Sequence, residues 1–385
     1  MLHYQTDTPM RSIMIMLLLA SSIATAQQVI VTVKNPASFD RPHETIGVPL
    51  ARVTEILGSG DVGLLSVHKD GVPGDLAIQV TASEVLFQCD CRARATQRFV
   101  ITYAREKFVP RSSVVSGLFA VPREDYAWEN DRIAFRMYGP AMAADVNNGV
   151  DVWTKRVHYP IVYKWYKEAE GSAPGKDSYH QDKGEGADFF SVGRSLGAGG
   201  SGIMHNGTLL QPGVFRSWKT LANGPIRVSF MLTYIWHLGV DSLTEERTIT
   251  LDAGENLNRM EVCYRGGHGS MSIAAGLVKR AGTVPAQDAQ HGILSLWGPT
   301  VADPLNGELG TAVVFPRGAD TGFTEDKDQY LITATVDAAA PFVYYAGAGW
   351  TGNGVLRGSK DWSAYLTTFA QRLAAPLTVN IAPGK

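Results

Sequence analysis
The chain has 385 residues, of which 45% are hydrophobic, and it carries 35 Lys and Arg against 37 Asp and Glu, a formal net charge of −2. That is enough apolar material for one large domain or two ordinary ones. The near-neutral balance gives no footing for a nucleic-acid partner, although it leaves room for a local basic cleft.

The N-terminus reads as an export signal. Arg11 precedes an apolar run over 13–20, and small residues follow it to Ala24, Thr25 and Ala26. A charged start, a short apolar stretch and an A-x-A ending are the marks of a cleaved signal peptide. The run is too short to span a bilayer. The expected division is a signal over 1–26, with Met10 a second candidate start, and one large domain over 27–385. The location expected from this is periplasmic or secreted. No later segment is apolar and long enough to cross a membrane as a helix.

Strand-like runs dominate from there on. Val29 to Val33 alternates as V-I-V-T-V, and 76–81, 99–103 and 133–137 follow; later runs cover 226–234, 244–251, 260–264, 331–336 and 342–346. Most are rich in β-branched and aromatic residues and are bounded by Gly, Pro, Asn or Asp. The 40 glycines suit tight turns between short strands. Arg247 to Leu251, a turn cluster over 252–256 and Arg259 to Cys263 read as a hairpin. Its charged residues, Glu245, Arg247, Arg259, Glu261 and Arg265, predict a face that is solvated or lines a cleft. Two helices are expected. A weaker one covers 159–168. A stronger one near the end has Trp362, Tyr365, Leu366, Phe369 and Leu373 at helical spacing, Ser359 or Asp361 as cap and Pro376 as stop; it should pack on the sheet edge. The fold class is therefore mostly β: a large antiparallel β-sandwich with a few peripheral helices. Cys89, Cys91 and Cys263 have no metal-type spacing. A pair between Cys263 and one of the others is the disulfide alternative, whereas the odd count favours buried free thiols.

The densest polar segment runs over 129–200, including a long glycine-rich surface loop at 168–186. Within it Tyr179, His180, Asp182, Glu185 and Asp188 fall inside ten residues. His180 and Tyr179, with Asp182 and Glu185, are the candidates for acid–base chemistry, since burial or neighbours can tune such groups. Asp182, Glu185 and Asp188 are also candidate oxygen ligands for a divalent cation such as calcium. Arg132, Arg136, Lys155 and Arg156 are candidates to hold a substrate carboxylate, with inter-strand ion pairs as the structural alternative. Trp153 and Trp218 are candidate stacking platforms for sugar rings, and Arg227 starts a strand where it can face a cleft. Asn223-Gly-Pro225 is a turn. No nucleophile elbow and no phosphate loop is present.

These segments resemble the secreted bacterial proteins of domain-of-unknown-function family 4861. The resemblance covers most of the chain after the signal, from Asn35-Pro36 and Arg41-Pro-His-Glu44 to the Gly-Trp at 350. It rests mainly on Glu129-Asn-Asp-Arg132, Arg136-Met-Tyr-Gly-Pro140, Asp151-Val-Trp-Thr-Lys-Arg156, the stretch 179–188 and Asn223-Gly-Pro-Ile-Arg227. Gln181 stands where members often carry an acid. The resemblance implies a β-sandwich similar to the galactose-mutarotase type, a supersandwich, and a setting of polysaccharide degradation with uronate-bearing, pectin-like glycans. An oligo- or polysaccharide partner follows from it. Four activities fit these expectations. The first is β-elimination, with His180 as base and Tyr179 as acid. The second is glycoside hydrolysis by a carboxylate pair drawn from Asp131, Asp182, Glu185 and Asp188. The third is mutarotase- or epimerase-like chemistry, and the fourth is glycan binding without catalysis.

Overall fold
In the computed structural model the described residues are 27–106, 113–170, 178–238, 241–300, 304–316, 318 and 320–384. The signal-peptide expectation over 1–26 lies outside them, as does 171–177 of the long loop. The chain is mostly β, in several antiparallel sheets, as expected from the alternating runs. The strand at Ile133–Met137 falls on its sequence bounds, and most others extend theirs by a few residues at one or both ends.

An eight-stranded sheet holds the hairpin at its centre, in the order Ser217–Asn223, Arg227–Leu238, Asp241–Asp252, Leu257–Arg265, Phe342–Trp350, Glu308–Val314, Ile293–Pro299 and Val284–Asp288. Two five-stranded sheets, one drawn from 116–187 and one from 198–337, share a single apolar core with its inner face. Trp128 and Phe135 of the first, Ile273 and Ile332 of the second, and Phe230 and Ile249 of the large sheet all lie in that core. Burying alternate residues of three sheets at once makes this the main stabilising element, at roughly 25 cal/mol per Å² of apolar surface.

The span expected to be one sandwich contains a second, smaller one. Four strands, including Val29–Lys34, Thr96–Tyr103 and the C-terminal Thr378–Pro383, face three strands from 41–91. Val31, Val48, Phe87, Phe99 and Ile101 form a core of its own. The alternation of each strand was readable; which strands shared a core was not, because periodicity is blind to partners.

Three α-helices occur among the described residues. Helix α1 (Leu50–Leu57) covers the small sandwich and is too short to announce itself in sequence. Helix α2 (Val162–Glu170) begins three residues later than expected. Helix α3 (Ser359–Ala374) starts after Gly358 rather than under a Ser359 or Asp361 cap; Asp361 instead accepts the backbone N–H of Arg357. It lies over the outer face of the large sheet, on Leu257, Ile293, Ala312 and Val314, and not at the edge. The three cysteines are free, with Cys91 buried and the other two half-buried.

The charged hairpin residues divide between the two faces. Glu245 and Arg247 sit opposite Tyr264 and Val262 and point inward, whereas Arg259 and Glu261 sit opposite Thr250 and Thr248 and point outward. Glu245 and Arg247 are fully buried and 2.6 Å apart. The expected solvated face is thus half core.

Candidate active site
The polar segment forms the outer face of the five-stranded sheet from 116–187. Alternation sends Trp128, Phe135 and Val152 into the core and the residues between them outward. Ala127, Arg136 and Asp151 form one row across three strands; Glu129, Ala134 and Trp153 form the next. The small Ala127 and Ala134 leave room for α2 to lie over this face, against Trp153, Ala127 and Ala134. Glu129 fixes where α2 starts. Its carboxylate accepts the backbone N–H groups of Ile161 and Val162 at 2.8–2.9 Å, where the helix dipole favours an anion. Lys155, fully buried, pairs with Glu129 at 2.7 Å and donates to the Asn130 carbonyl. Burial draws the Lys155 amine below the usual lysine range.

Beside this pair lies a cluster in which one guanidinium serves three carboxylates. Arg136 Nη2 is 2.6 Å from Asp151 Oδ2 and 3.2 Å from Asp188 Oδ2, and Nη1 is 3.7 Å from Asp125 Oδ2. Trp153 Nε1 also donates to Asp151, and the Tyr166 hydroxyl donates to Asp125. Oδ1 of Asp125 and Oδ1 of Asp151 are buried with no hydrogen-bond partner among the described residues. Arg123 adds a second, weaker positive influence on Asp125 and Asp188. Burial, with the Asp151 charge adding to it, holds the Asp188 carboxyl well above the ordinary carboxylate range. Burial likewise raises Asp125 from its ordinary 3.8 to about 6, against the pull of Arg136 and the Tyr166 hydrogen bond.

Asp125 therefore binds its proton more tightly in the folded state. Its stabilising contribution is complete below pH 3.8 and is lost as pH rises through about 6. The difference corresponds to about 3 kcal/mol. The Asp125→Asn variant, neutral at every pH, should gain on the parent by up to that amount between pH 4 and pH 7 in urea denaturation. A parent-minus-variant difference that stays flat over this range would contradict the assignment.

His180 reaches this cluster from the surface. Its side chain is 52% exposed, with Nδ1 3.6 Å from Asp188 Oδ2. Its ring stands 4.4 Å from that of Tyr179, which in turn stacks on Trp153. The backbone N–H of Asp188 donates to the Tyr179 carbonyl, and this clasps the loop shut behind His180. Arg123 lies over the Tyr179 ring, 5.4 Å from its centroid. A surface imidazole thus backs onto a proton-holding carboxyl, with a guanidinium nearby, an arrangement able to take part in proton transfer.

The structure redistributes the other candidates. Arg136 and Lys155 are buried in ion pairs and cannot meet a substrate carboxylate. Trp153 is fully buried and Tyr179 is 1% exposed, so neither a stacking platform nor a surface acid remains there. Arg132 donates to Asn256 at 3.0 Å. Asn130 and Asp131 clasp the turn at 252–255 through Asp252, Gly254 and Glu255, so Asp131 is a docking residue rather than half of a hydrolytic pair. Asp182 accepts from Arg156 and from the backbone of Gly184 and Gly186. Glu185 accepts from Lys164 and Tyr159. Asp182, Glu185 and Asp188 therefore diverge, each toward a cation of its own, and no group of three His, Cys, Asp or Glu suited to a metal ion occurs among the described residues. Arg156 stacks over Trp350 at 4.7 Å. Trp218 keeps 42% exposure while stacking on Phe119. Arg227 is gripped by Asp252 at 2.6 Å. Asp125 and Arg123 went unnamed in the sequence reading; the signal available for Asp125 was an acid alternating with Ala127 and Glu129 on an otherwise apolar strand.

A mostly antiparallel protein with a buried acidic cluster opening on a surface histidine is the class that fold and site define. The chain belongs to the family described as domain of unknown function (DUF4861), whose model matches residues 33–379. Uncharacterized protein P7 of Formosa agariphila is 29% identical over 390 residues, covering 91% of this chain and 93% of that protein. Among solved structures, a protein in the glycosyl hydrolase family 38 from Enterococcus faecalis aligns with a TM-score of 0.45 at 10% identity, over 94% of this chain and 48% of that one. An alpha-mannosidase from Enterococcus faecalis V583 aligns with a TM-score of 0.43 at 8% identity, over 92% and 46%. The chain spans about half the length of these structures. No helix among the described residues is long and apolar enough to cross a membrane.

Proposed function
We propose that this protein is an exported carbohydrate-active enzyme that cleaves uronate-bearing glycans by β-elimination at His180. The observation that carries the reading is the half-exposed His180 imidazole backed at 3.6 Å by the buried Asp188 carboxyl. Elimination requires a base for the proton on the carbon next to the uronate carboxylate, and a positive charge to stabilise the developing carbanion. His180 supplies the base. Arg123, whose guanidinium lies over the Tyr179 ring beside it, supplies the charge in place of Arg132 and Arg136. In a syn elimination the proton taken at C5 is returned by the same imidazole to the departing oxygen at C4. The C4–O bond breaks as the C4=C5 double bond forms. Asp188, with Oδ2 3.6 Å from the imidazole Nδ1, sets the polar environment on the inner side of the ring. The uronate substrate follows from the family resemblance, and export from the Ala24-Thr25-Ala26 ending; the chemistry draws on protein side chains alone.

The test is incubation of the purified protein with pectic and other uronate-containing oligosaccharides, recording ultraviolet absorbance of the unsaturated uronate while counting new reducing ends. Both should rise together. New reducing ends without absorbance would overturn elimination and return the chemistry to hydrolysis. Silence in both, with measurable glycan binding, would overturn cleavage altogether.

A further inference from the structure
The outer face of the eight-stranded sheet carries a second polar arrangement, on the opposite side of the sandwich from His180. Strand register places Ser229, Thr250, Arg259 and Tyr345 in one row across four strands. The Ser229 and Thr250 hydroxyls are 2.9 Å apart. This row forms the floor of two adjoining clefts that share Thr250 and Arg227. The larger, about 490 Å³, is walled by Arg41 and Glu44 of the small sandwich and by Phe369 and Arg372 of α3. That volume lies within the range of small-ligand sites, about 300–1,000 Å³.

Four arginines line the larger cleft, against the carboxylates of Glu44, Asp252 and Glu255. Most of this charge is committed. Arg41 and Arg372 both hold Glu44, and Arg227 is held bidentately by Asp252. Arg259 is paired as well, with Glu261 at 2.6 Å and with the Tyr345 phenol, but at 40% exposure it is the most accessible of the four, against 5%, 23% and 17% for Arg41, Arg227 and Arg372. It stands between the Thr250 hydroxyl and the Tyr345 phenol. A guanidinium flanked by two hydroxyls, with the half-buried Tyr345 ring beside it, matches a pyranose that carries one negative group: a charge for the fork, hydroxyl partners for the ring oxygens and an aromatic edge for its apolar face.

We propose that this cleft is a binding site for an acidic sugar unit of a glycan, with Arg259 taking its carboxylate or sulfate ester. It does not depend on the His180 chemistry. Arg259 lies on the surface, so Arg259→Met should fold as the parent does.

The experiment is calorimetric titration of the full chain, in the His180→Ala background so that nothing is turned over. The probes are an oligogalacturonide, a sulfated galactan oligosaccharide and a neutral galactan oligosaccharide. We expect one acidic probe to bind, the neutral one to bind at least tenfold more weakly, Arg259→Met to weaken the acidic probe by tenfold or more, and Arg259→Lys to restore part of it. Which acidic probe binds identifies the charged group. Equal binding of the neutral probe, undiminished binding to Arg259→Met, or no binding of either acidic probe would overturn the proposal. The His180 reading is decided separately by absorbance and stands or falls without this result.

Discussion

His180→Ala should lower the rate of unsaturated-product formation by about 10²–10⁴, the range a positioned acid–base group supplies, while leaving the unfolding free energy within about 0.5 kcal/mol of the parent, as expected for a surface substitution. The two halves of this expectation come from one fact: His180 is half-exposed, so its loss opens no cavity and strands no buried charge. Asp188→Asn should fall between parent and His180→Ala, because the imidazole loses the polar group 3.6 Å behind it while the ring keeps its place against Tyr179. A His180→Ala protein with parental rates would remove histidine from the chemistry. One that unfolds would make the residue structural, against its exposure.

Arg136→Met should be the most destabilising single change in the site, by about 3–5 kcal/mol at pH 7, the cost of removing one member of a buried ionic group. Here the loss strands three carboxylates at once: Asp125, Asp151 and Asp188. The penalty should shrink as pH falls toward 5, because Asp125 and Asp188 already hold their protons unusually tightly and can become neutral. Arg132→Met gives the contrast. Arg132 donates to a neutral amide oxygen of Asn256, so its loss should cost about 1 kcal/mol with little pH dependence. Urea denaturation of both variants at pH 5 and pH 7 checks this. Equal penalties for the two, or a penalty at Arg136 that does not move with pH, would show that the guanidinium is not what neutralises the cluster.

Much of this molecule was legible in its sequence because the signals involved are local. Alternation over Ile133–Met137, the hairpin around Asp252-Ala-Gly-Glu-Asn256 and the helical spacing of Trp362, Leu366 and Phe369 depend only on which side of its own element a residue faces. The same local reading brought Arg136, Asp151, Asp188, Tyr179 and His180 into one candidate region, and they do meet. The roles of these residues were not legible, because a role depends on burial, and burial is decided by what lies on top. Trp153 and Trp218 look alike in sequence; α2 covers the first, and the edge of the large sheet leaves the second open. Glu245 and Arg259 read as one charged face until the register of two strands sent one into the core and the other into a cleft. Asp182, Glu185 and Asp188 sit within seven residues, yet Arg156, Lys164 and Arg136 draw them three ways. Composition and periodicity by themselves determined a mostly-β chain with its densest polar segment between 129 and 200; Arg123 and Asp125, just outside it, were added only by the structure. The tertiary structure decided which carboxylates lose water, and so which of them hold their protons unusually tightly. That is a property of long-range packing and of the dielectric it creates, which no spacing along the chain encodes.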